Sequence, residues 1–410
     1  MAHEDRMGRR GFLRVTTGAF AAGLTVAEGM SNLACAASMG EIEAAAARVG
    51  RLPRRPLGGG GRKVSVLVGS ATWAREAVEA GIRCDINFWH KADRWREHVP
   101  SAILKDREAH YCEICLDRVH GNHETGDIDE EAHYQRVKQS LANNGLRYYD
   151  DMMFHFGFHT TEEAKSNRGF IRAFERLKKE GLVRHLCLSQ HNYQGNSRVP
   201  GGQNAAEVLS AVMEDGLFEH AQFFYSYGEG ESTQEFVHRA RQKGFGTIAM
   251  KTTRGAGRMV QDRELMKGFP SGTTPYHALA RWLTTRTELD AAVVEINNLD
   301  QFVDTYSGAG KPMRAADVKA IERLAAYADH EVCRLCNECQ SYCPEGLPIA
   351  DVLRYERYAR DYQDRARARQ LYAQLETRAD SCTACGKCIP HCPQALPIPD
   401  ALMRAHGVLT

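Results

Sequence analysis

Eight of the thirteen cysteines lie in two short segments of identical spacing, Cys333–Pro344 and Cys382–Pro393. Each segment reads Cys-x2-Cys-x2-Cys-x3-Cys-Pro. Three thiolates at this spacing wrap one loop around three irons of a cubane, whereas the fourth leaves the loop and ligates the other cluster where two are present. The pattern therefore predicts two [4Fe-4S] clusters with crossed ligands. The predicted sets are Cys333, Cys336, Cys339 and Cys392 for one cluster, and Cys382, Cys385, Cys388 and Cys343 for the other.

Zinc and disulfides are the alternative uses of these cysteines. Thiolates also suit tetrahedral zinc, but zinc sites normally pair two Cys-x2-Cys units and do not need the third and fourth cysteines at this spacing. A disulfide framework is typical of small secreted proteins, whereas this chain has 410 residues and concentrates its cysteines in two places. Iron-sulfur chemistry is the favoured interpretation.

The stretch between the two motifs, residues 347–379, has apolar residues at helical intervals. It is too long for a compact β-type ferredoxin, and it resembles the α-helical ferredoxins of succinate dehydrogenase and heterodisulfide reductase subunits. The resemblance implies a small α-helical ferredoxin domain over residues 331–405 that passes single electrons. A protein that donates or accepts those electrons is the expected partner.

The beginning of the chain has the features of an export signal. Gly8–Val15 contains paired arginines followed by phenylalanine and leucine, and Gly18–Val26 is an apolar run too short to span a bilayer. Ala34–Ser38 fits a small-residue cleavage site. The pattern resembles a twin-arginine signal over residues 1–37, which is a receptor-read address and not an anchor. It predicts a periplasmic or other extracytoplasmic protein; an ordinary helix start with two arginines is the alternative.

Composition excludes some classes of partner. Lys and Arg number 53 against 52 Asp and Glu, so the net charge of +1 gives no field that would attract nucleic acid or an anionic membrane. A hydrophobic content of 43% in 410 residues suffices for one large domain and a small one. We expect no nucleic-acid partner, no transmembrane span, and a small-molecule substrate that the sequence does not identify.

The middle of the chain must position any further chemistry. Between residues 57 and 306, eight short apolar runs alternate with amphipathic stretches, which predicts an α/β fold in the form of a parallel (β/α)8 TIM barrel. Residues 38–56 are predicted as a linker, and residues 307–330 as a connecting helix that docks the tail on the barrel. The predicted strands lie near residues 64, 84, 112, 151, 185, 222, 246 and 293.

The order of several segments along about 250 residues resembles the aldo/keto reductases, and more narrowly the bacterial branch in which a reductase barrel continues into a ferredoxin tail. Among these segments are "VSVLVG", "AGIRCDINFWH", "YYDDMMFHF", "VRHLCLSQHNY" and "GFGTIAMKT". The resemblance implies NADP(H)-dependent carbonyl reduction at the carboxyl ends of the barrel strands, by an aspartate, a tyrosine, a lysine and a histidine.

Only part of that catalytic set is present. Asp85 matches the aspartate and His155 the histidine, but His90 stands at the tyrosine position and Asp117 at or beside the lysine position. At the end of the eighth strand, Glu295 occupies a place where the family holds the nucleotide phosphate, and its charge repels a phosphate. The predicted oxidoreductase thus has an incomplete tetrad, and NADP(H) is a candidate cofactor that Glu295 disfavours.

The predicted catalytic residues are Asp85, His90 and His155, with His90 as general acid and Asp85 tuning it. A metal ion held by the imidazoles and carboxylates of the barrel mouth is the alternative. Aromatic core packing is an equally good interpretation of Tyr225. Other histidines placed at the mouth are His120, His123, His159 and His191. The predicted cofactor-binding residues are Ser189, Gln222, Tyr225 and Lys251.

These observations predict an exported iron-sulfur oxidoreductase that relays electrons between a substrate or cofactor in the barrel mouth and an external partner. The alternative is a non-catalytic electron-transfer or binding subunit of a periplasmic redox complex, in which the barrel pocket is degenerate.

Overall fold

The structure is a computed structural model that describes residues 37–117, 128–192 and 202–410. The predicted export signal lies outside these residues, except for Ala37. His120 and His123 also lie outside them.

Eight parallel strands close into a barrel in the order β10-β3-β4-β5-β6-β7-β8-β9, which confirms the predicted (β/α)8 barrel. A short antiparallel pair, β1 and β2, precedes it. The end of the barrel at the carboxyl ends of the strands is called the mouth, and the opposite end the base. The strands are β1 Arg54–Pro56, β2 Lys63–Ser65, β3 Leu67–Ser70, β4 Phe88–His90, β5 Tyr111–Leu116, β6 Tyr149–Phe154, β7 Val183–Gln190, β8 His220–Phe224, β9 Gly246–Met250 and β10 Ala291–Val293.

Helices surround the barrel and build the C-terminal region. Local signals set their limits: the Asp129 carboxylate accepts a hydrogen bond from Ala132 N at the start of α4, and Gly145, at a φ of 63°, ends it. The helices are α1 Met39–Val49, α2 Arg75–Arg83, α3 Ser101–Lys105, α4 Glu130–Asn144, α5 Thr161–Ser166, α6 Gly169–Lys179, α7 Ala205–Asp215, α8 Glu231–Lys243, α9 Ala256–Gln261, α10 Arg263–Met266, α11 Pro275–Thr285, α12 Leu299–Tyr306, α13 Ala315–Glu331, α14 Ile349–Arg360, α15 Arg365–Ala373 and α16 Ile398–Leu409. No described helix is long and apolar enough to cross a bilayer.

Alternating side chains of the strands fill two separate cores. Along β5, Cys115 joins the core inside the barrel, whereas Cys112 and Ile114 join the larger core between strands and helices. This is the period of two that a strand imposes. Cys112 and Cys115 therefore point to opposite faces of the sheet.

Residues 38–56 differ from the predicted linker. They form α1 and β1, and Ile42, Ala45 and Val49 of α1 are buried in the core between strands and helices. A capping box between Ser38 and Glu41 starts α1, because Ser38 N donates to Glu41 Oε2 (2.7 Å) and Glu41 N donates to Ser38 Oγ (3.3 Å). This segment is therefore part of the folded body.

The second barrel strand also differs from prediction, since it covers Phe88–His90 and not the run near residue 84. Cys84 caps the end of α2 instead, and Asp85 lies in the connection that leads into β4. The run "RCDIN" is β-like in composition, but the turn of α2 continues through Arg83 and leaves too few residues for a strand there.

The connecting helix is α13, and it packs against the barrel helices. Leu324, Ala328 and Val332 join an apolar cluster with Met259 and Leu279. At the start of this helix, Asp317 and Ala320 are buried, whereas Val318 is 44% exposed. The helix shows that the tail is docked on the barrel.

The C-terminal region consists of two copies of one unit, 49 positions apart. In each copy, a cysteine loop and a short 3-10 helix lead into "LPI", which starts a longer helix six residues after the fourth cysteine: α14 in the first copy and α16 in the second. The two helices pack on each other and on α15 in one apolar cluster.

Candidate functional site

The two cysteine loops have the same backbone conformation. Leu335 and Ala384, which precede the second cysteine of each motif, both have positive φ angles of 62° and 53°. Asn337 and Gly386, which follow it, have φ angles of 65° and 71°. Such left-handed residues turn the chain sharply, so that three successive thiols face one point.

Cysteines of the two motifs lie close to one another. Cys333, Cys336 and Cys339 line one small cavity together with Cys392 of the second motif. Cys388 is electrostatically coupled to Cys343 of the first motif, as well as to its own neighbours Cys382 and Cys385. The fourth cysteine of each motif thus lies near cysteines of the other motif.

The thiols are too far apart for a single zinc ion. Four sulfurs at 2.3 Å from one tetrahedral zinc lie about 3.8 Å from each other. Among the described residues, no three of these Sγ atoms lie within 4.8 Å of one another. The twelve cysteines that the structure describes are all free thiols, so disulfides do not use them either. The wider spacing suits a larger inorganic group.

Burial keeps the thiols of the first set neutral unless a metal is bound. Burial raises the pKa of Cys333 to about 12, and its neighbours Cys336 and Cys392 add to the effect. Burial likewise raises the pKa of Cys336 to about 11. Metal cations bound to such a set reverse this balance, because they deprotonate coordinating thiols outright. A [4Fe-4S] group therefore fits the first set, whose four cysteines surround one small cavity.

Backbone amides and stacked rings complete the cysteine sites. Leu335 N donates to Cys333 Sγ (3.3 Å) and Leu396 N donates to Cys392 Sγ (3.4 Å). Hydrogen bonds of this kind tune cluster potentials. Tyr342 and His391, which precede the fourth cysteine of each motif, stack with ring centroids 3.2 Å apart.

The first cysteine loop is bound directly to the barrel mouth. Asn192, just beyond β7, donates from Nδ2 to Cys336 O (2.6 Å), and Asn337 Nδ2 donates back to Asn192 O (2.8 Å). Arg254 is 2% exposed and donates to Ala328 O (2.8 Å) and Val332 O (3.1 Å) immediately before the loop. The cysteine set that includes Cys336 therefore lies beside the end of β7.

A buried ionic group holds α14 against the barrel. Arg258 of α9 lies 2.5 Å from Asp361 Oδ1 and 3.1 Å from Glu356 Oε2, and the side chains of all three are 2% or 3% exposed. Burial opposes the charge of Arg258, but Asp361 and Glu356 outweigh it and raise the pKa of the guanidinium. Since a buried charge without a partner is costly, this contact fixes the position of α14 over the mouth.

At the mouth, His90 and His155 each contact a carboxylate. His90 Nδ1 is hydrogen-bonded to Glu113 Oε1, and His155 Nδ1 to Asp117 Oδ1. Burial, and next the charge of Lys91, lower the pKa of His90. Burial opposes ionisation of Asp117, but the hydrogen bond and charge of His155 together with the charge of Arg94 outweigh it and lower the pKa of the carboxyl. The two predicted histidines thus lie at the same end of the barrel.

His191 is a buried side chain at the mouth whose ring nitrogens make no hydrogen bond to the described residues. It is 6% exposed. Its ring centroid lies 5.7 Å from that of His155. Because buried imidazoles nearly always have a partner, this one is available to a ligand.

Lys251, which follows β9, faces two tyrosines of the C-terminal region. Its Nζ lies 5.3 Å from the ring centroid of Tyr358 and 5.4 Å from that of Tyr362. Burial opposes ionisation of Tyr358, but Lys251, then Arg354 and Arg367, outweigh it and lower its pKa to about 8. The ferredoxin-like region thus supplies an acidic phenol and cationic groups to the barrel mouth.

Asp85 does not join this group. It lies at the base of the barrel, where its carboxylate is 2.5 Å from Arg51 and 3.1 Å from Arg54. The prediction that Asp85 tunes His90 is wrong, because the strand that follows Asp85 carries His90 to the opposite end.

The predicted cofactor-binding residues are divided between different places. Ser189 and Gln222 are buried inside the barrel and donate to the sulfur of Met250 over 3.9 and 3.5 Å. Tyr225 belongs to the core between strands and helices and stacks on Trp282 at 5.9 Å. Lys251 alone of the four faces the C-terminal region.

The segment after β10 offers little to a nucleotide phosphate. Glu295 accepts a hydrogen bond from Thr72 Oγ1 (3.1 Å), and Asn297 Nδ2 contacts Tyr362 O at 3.5 Å. The C-terminal region therefore contacts the place at which the aldo/keto reductase resemblance puts the phosphate.

Comparison with known proteins agrees with the cysteine geometry. Residues 325–393 match the family of 4Fe-4S dicluster domains. The C-terminal region is a 4Fe-4S dicluster domain. No curated protein matches the chain. Two solved structures described as aldo-keto reductases of Pseudomonas aeruginosa are similar to it. The first is 14% identical with a TM-score of 0.46, over 64% of this chain and 97% of the other. The second is 15% identical with a TM-score of 0.47, over 63% and 96%.

Sequence reasoning missed the residues that the dicluster domain contributes to the mouth. The helical pattern marks Tyr358 only as one of several apolar positions. Its signal lies in its neighbours: Arg354, Arg357 and Arg360 alternate with Tyr355 and Tyr358 on one short helix. These three arginines and two tyrosines lie on a helix that also has a buried face. Such a pattern indicates that the helix contacts another polar surface.

Proposed function

We propose that this protein is an exported iron-sulfur oxidoreductase. Two [4Fe-4S] clusters relay single electrons between a small molecule in the barrel mouth and an external electron-transfer protein. The observation that carries the proposal is the position of the dicluster domain, whose first cysteine loop and α14 both contact the barrel mouth. A domain that served only as a separate electron carrier would not need to be built into a pocket.

The arrangement supports a linear route for electrons. Cys385 of the second set is exposed, so that set is accessible to an external protein. Cys339 of the first set is electrostatically coupled to Cys388 of the second, which shows that the two sets are neighbours. The first set adjoins Asn192 at the mouth. When bound, the clusters supply one-electron transfer, and the order from solvent inward is second set, first set, pocket.

The pocket groups favour a small anionic substrate. Lys91 and Lys251 lie at the mouth, and neither forms an ion pair with a carboxylate in the described residues. Arg354 is also close enough to depress the pKa of Tyr358. We propose that His191 and Tyr358 donate hydrogen bonds to the substrate, while the lysines neutralise its charge.

NADP(H) is a poorer candidate for this pocket, because Glu295 and Tyr362 lie where its phosphate would be held. We further propose that residues 1–37 direct export by the twin-arginine route. Replacing Arg9 and Arg10 together by lysine should leave the protein in the cytoplasm, as measured by cell fractionation.

The proposal is tested with protein purified under anaerobic conditions. Iron and sulfide analysis with electron paramagnetic resonance should find eight irons per chain, from two cubanes of four. Reduced protein is then mixed with small carboxylates and with their uncharged amides, and cluster reoxidation is followed by absorbance. Oxidation by a carboxylate but not by its amide, and its loss in Lys251→Met, supports the proposal. Clusters that no small molecule reoxidises, in a protein that co-purifies with a redox partner, would indicate a non-catalytic subunit instead.

A further inference from the structure

The inside of this barrel contains ionisable groups where aliphatic side chains are usual. TIM barrels are normally filled by layers of Val, Ile and Leu. Here Glu113, Asp151 and Cys187 are 0% exposed, and His220 is 3% exposed. They come from four successive strands, β5 to β8. None of them belongs to the mouth or to the cysteine loops.

These groups form one continuous chain with His90. His90 Nδ1 is hydrogen-bonded to Glu113 Oε1. Glu113 and Asp151 lie opposite each other in the sheet register, and the charge of Asp151 helps to raise the pKa of Glu113. Asp151 Oδ2 in turn lies 2.5 Å from His220 Nε2. The four side chains therefore follow one another through the barrel, with the two facing carboxyl groups in the middle.

The carboxyl pair in the middle must hold a proton. Two carboxylates in contact without solvent cannot both be ionised. Glu113 Oε2 and Asp151 Oδ1 are also buried without a donor among the described residues, which a shared proton would correct. Burial, followed by the charge of Asp151, raises the pKa of Glu113 well above its usual value.

The groups around the pair do not supply a compensating charge inside the barrel. Burial raises the pKa of Tyr111, of Cys115 and of Cys187, so these three are neutral. Lys91 and Arg94 are cations beyond β4 on the side of His90, and the charge of Lys91 also acts on Glu113. Other titratable groups that face the chain are Asp93, His155 and His185.

The two ends of the chain open in opposite directions. His90 is the last residue of β4 and lies at the mouth, whereas His220 is the first residue of β8 and lies at the base. At the base, His220 lines a cavity of about 300 Å³ with Tyr111, His185 and Glu219. The chain thus connects the substrate pocket with a separate, water-accessible cavity.

A metal ion is the other use that Asp151, Cys187 and His220 could serve, since their ligand atoms lie within 4.8 Å of one another. However, the 2.5 Å between Asp151 Oδ2 and His220 Nε2 is a hydrogen-bond distance. Two ligands of one tetrahedral zinc at about 2.0 Å lie about 3.3 Å apart. The observed contact favours a proton between these groups.

We propose that His220, Asp151, Glu113 and His90 conduct protons from the basal cavity to the barrel mouth. A proton from water binds His220 at Nδ1, and the proton on Nε2 passes to Asp151. The proton of the carboxyl pair passes from Asp151 to Glu113 and then to His90 Nδ1. His90 releases the proton on its Nε2 to the group reduced at the mouth. One proton enters and one leaves, so the relay ends neutral. Its role at the mouth rests on the proposed function, in which electrons arrive from the cluster side.

Infrared spectroscopy of the full-length, cluster-containing protein tests the relay without a substrate. The wild-type protein should show the carbonyl band of a protonated, buried carboxylic acid, and transfer to D2O should shift this band within minutes. Glu113→Gln should remove the band, whereas Asp151→Asn should keep it at a changed frequency, because Glu113 stays buried but loses the carboxyl group that it faces. His220→Gln should keep it but slow its deuterium shift at least tenfold, because the contact with the basal cavity is lost. Lys243→Gln, which changes another residue lining the same cavity, should leave the shift rate unchanged.

The outcomes are decisive even if a variant fails to fold, because the wild type alone must show the band and its exchange. Absence of the band, or one zinc per chain in metal analysis, would overturn the relay in favour of ionised or metal-bound carboxylates. Equal exchange rates in wild type and His220→Gln would exclude His220 as the point of entry. None of these results depends on finding a substrate, so they leave the proposed function to its own test.

Discussion

The attachment of α14 to the barrel should depend on Arg258 more than on any exposed ion pair nearby. Arg258→Met removes the charge that faces both Asp361 and Glu356 while keeping much of the side-chain volume. Breaking a fully buried pair costs about 3–5 kcal/mol. Each carboxylate keeps a second guanidinium, since Asp361 lies 3.5 Å from Arg357 and Glu356 lies 3.1 Å from Arg360. We therefore expect the lower end, about 3 kcal/mol, which is roughly a hundredfold rise in the undocked population.

Hydrogen exchange of intact protein, followed by mass spectrometry, measures this opening directly. Peptides from α14 should exchange roughly a hundredfold faster in Arg258→Met, while peptides from β5 to β8 stay unchanged. The matched control is Arg404→Met, which also loses a contact with Glu356 (3.2 Å) but has a side chain that is 31% exposed. It should cost less than about 1 kcal/mol. Adding Glu356→Gln and Asp361→Asn to Arg258→Met should restore part of the protection. If Arg258→Met and Arg404→Met accelerated exchange in α14 equally, the prediction would be refuted, because burial would then not determine how much an ion pair contributes to docking.

Three further predictions concern single groups. Cys392→Ser should disturb the cluster of the first motif and Cys343→Ser that of the second, as seen by electron paramagnetic resonance; the reverse pattern would exclude crossed ligation. Lys251→Met should raise the pKa of Tyr358 from about 8, because a cation that favours the phenolate is lost, and ultraviolet absorbance of tyrosinate should show the titration at higher pH; an unchanged midpoint would contradict the contact. Asp85→Ala should lower stability by less than about 1 kcal/mol and leave reoxidation of the clusters by substrate unchanged, since Asp85 lies at the base with Arg51 and Arg54; a large loss of turnover would restore the role that the sequence suggested.

The parts of the molecule predicted correctly are those that depend on local patterns. The spacing of the cysteines can be read directly from the sequence. The loops that begin at Cys333 and Cys382 need only residues with left-handed backbone conformation on either side of the second cysteine. The barrel follows from eight apolar runs of the right length. The predicted position of Asp85 is wrong because amino-acid composition does not show where a strand begins. The segments "RCDIN" and "NFWH" are equally β-like, and only the packing of α2 decides which of them forms the strand.

What the sequence could not give are contacts between distant segments. Tyr358 meets Lys251 across more than a hundred residues, and nothing local to either indicates the other. The carboxyl pair of Glu113 and Asp151 is similar, since each residue alone looks like a polar position on a strand. Their meeting depends on the register of β5 against β6. Burial of charge is decided by the closed barrel and not by either strand.

The crossing of the thiol sets has a consequence for the history of this tail. Each half of the repeat offers three sulfurs to one set and a single sulfur to the other. One half by itself cannot complete a four-sulfur site, whatever its sequence. Either site therefore requires both copies of the motif side by side, whether in one chain or in two, at every stage of that history.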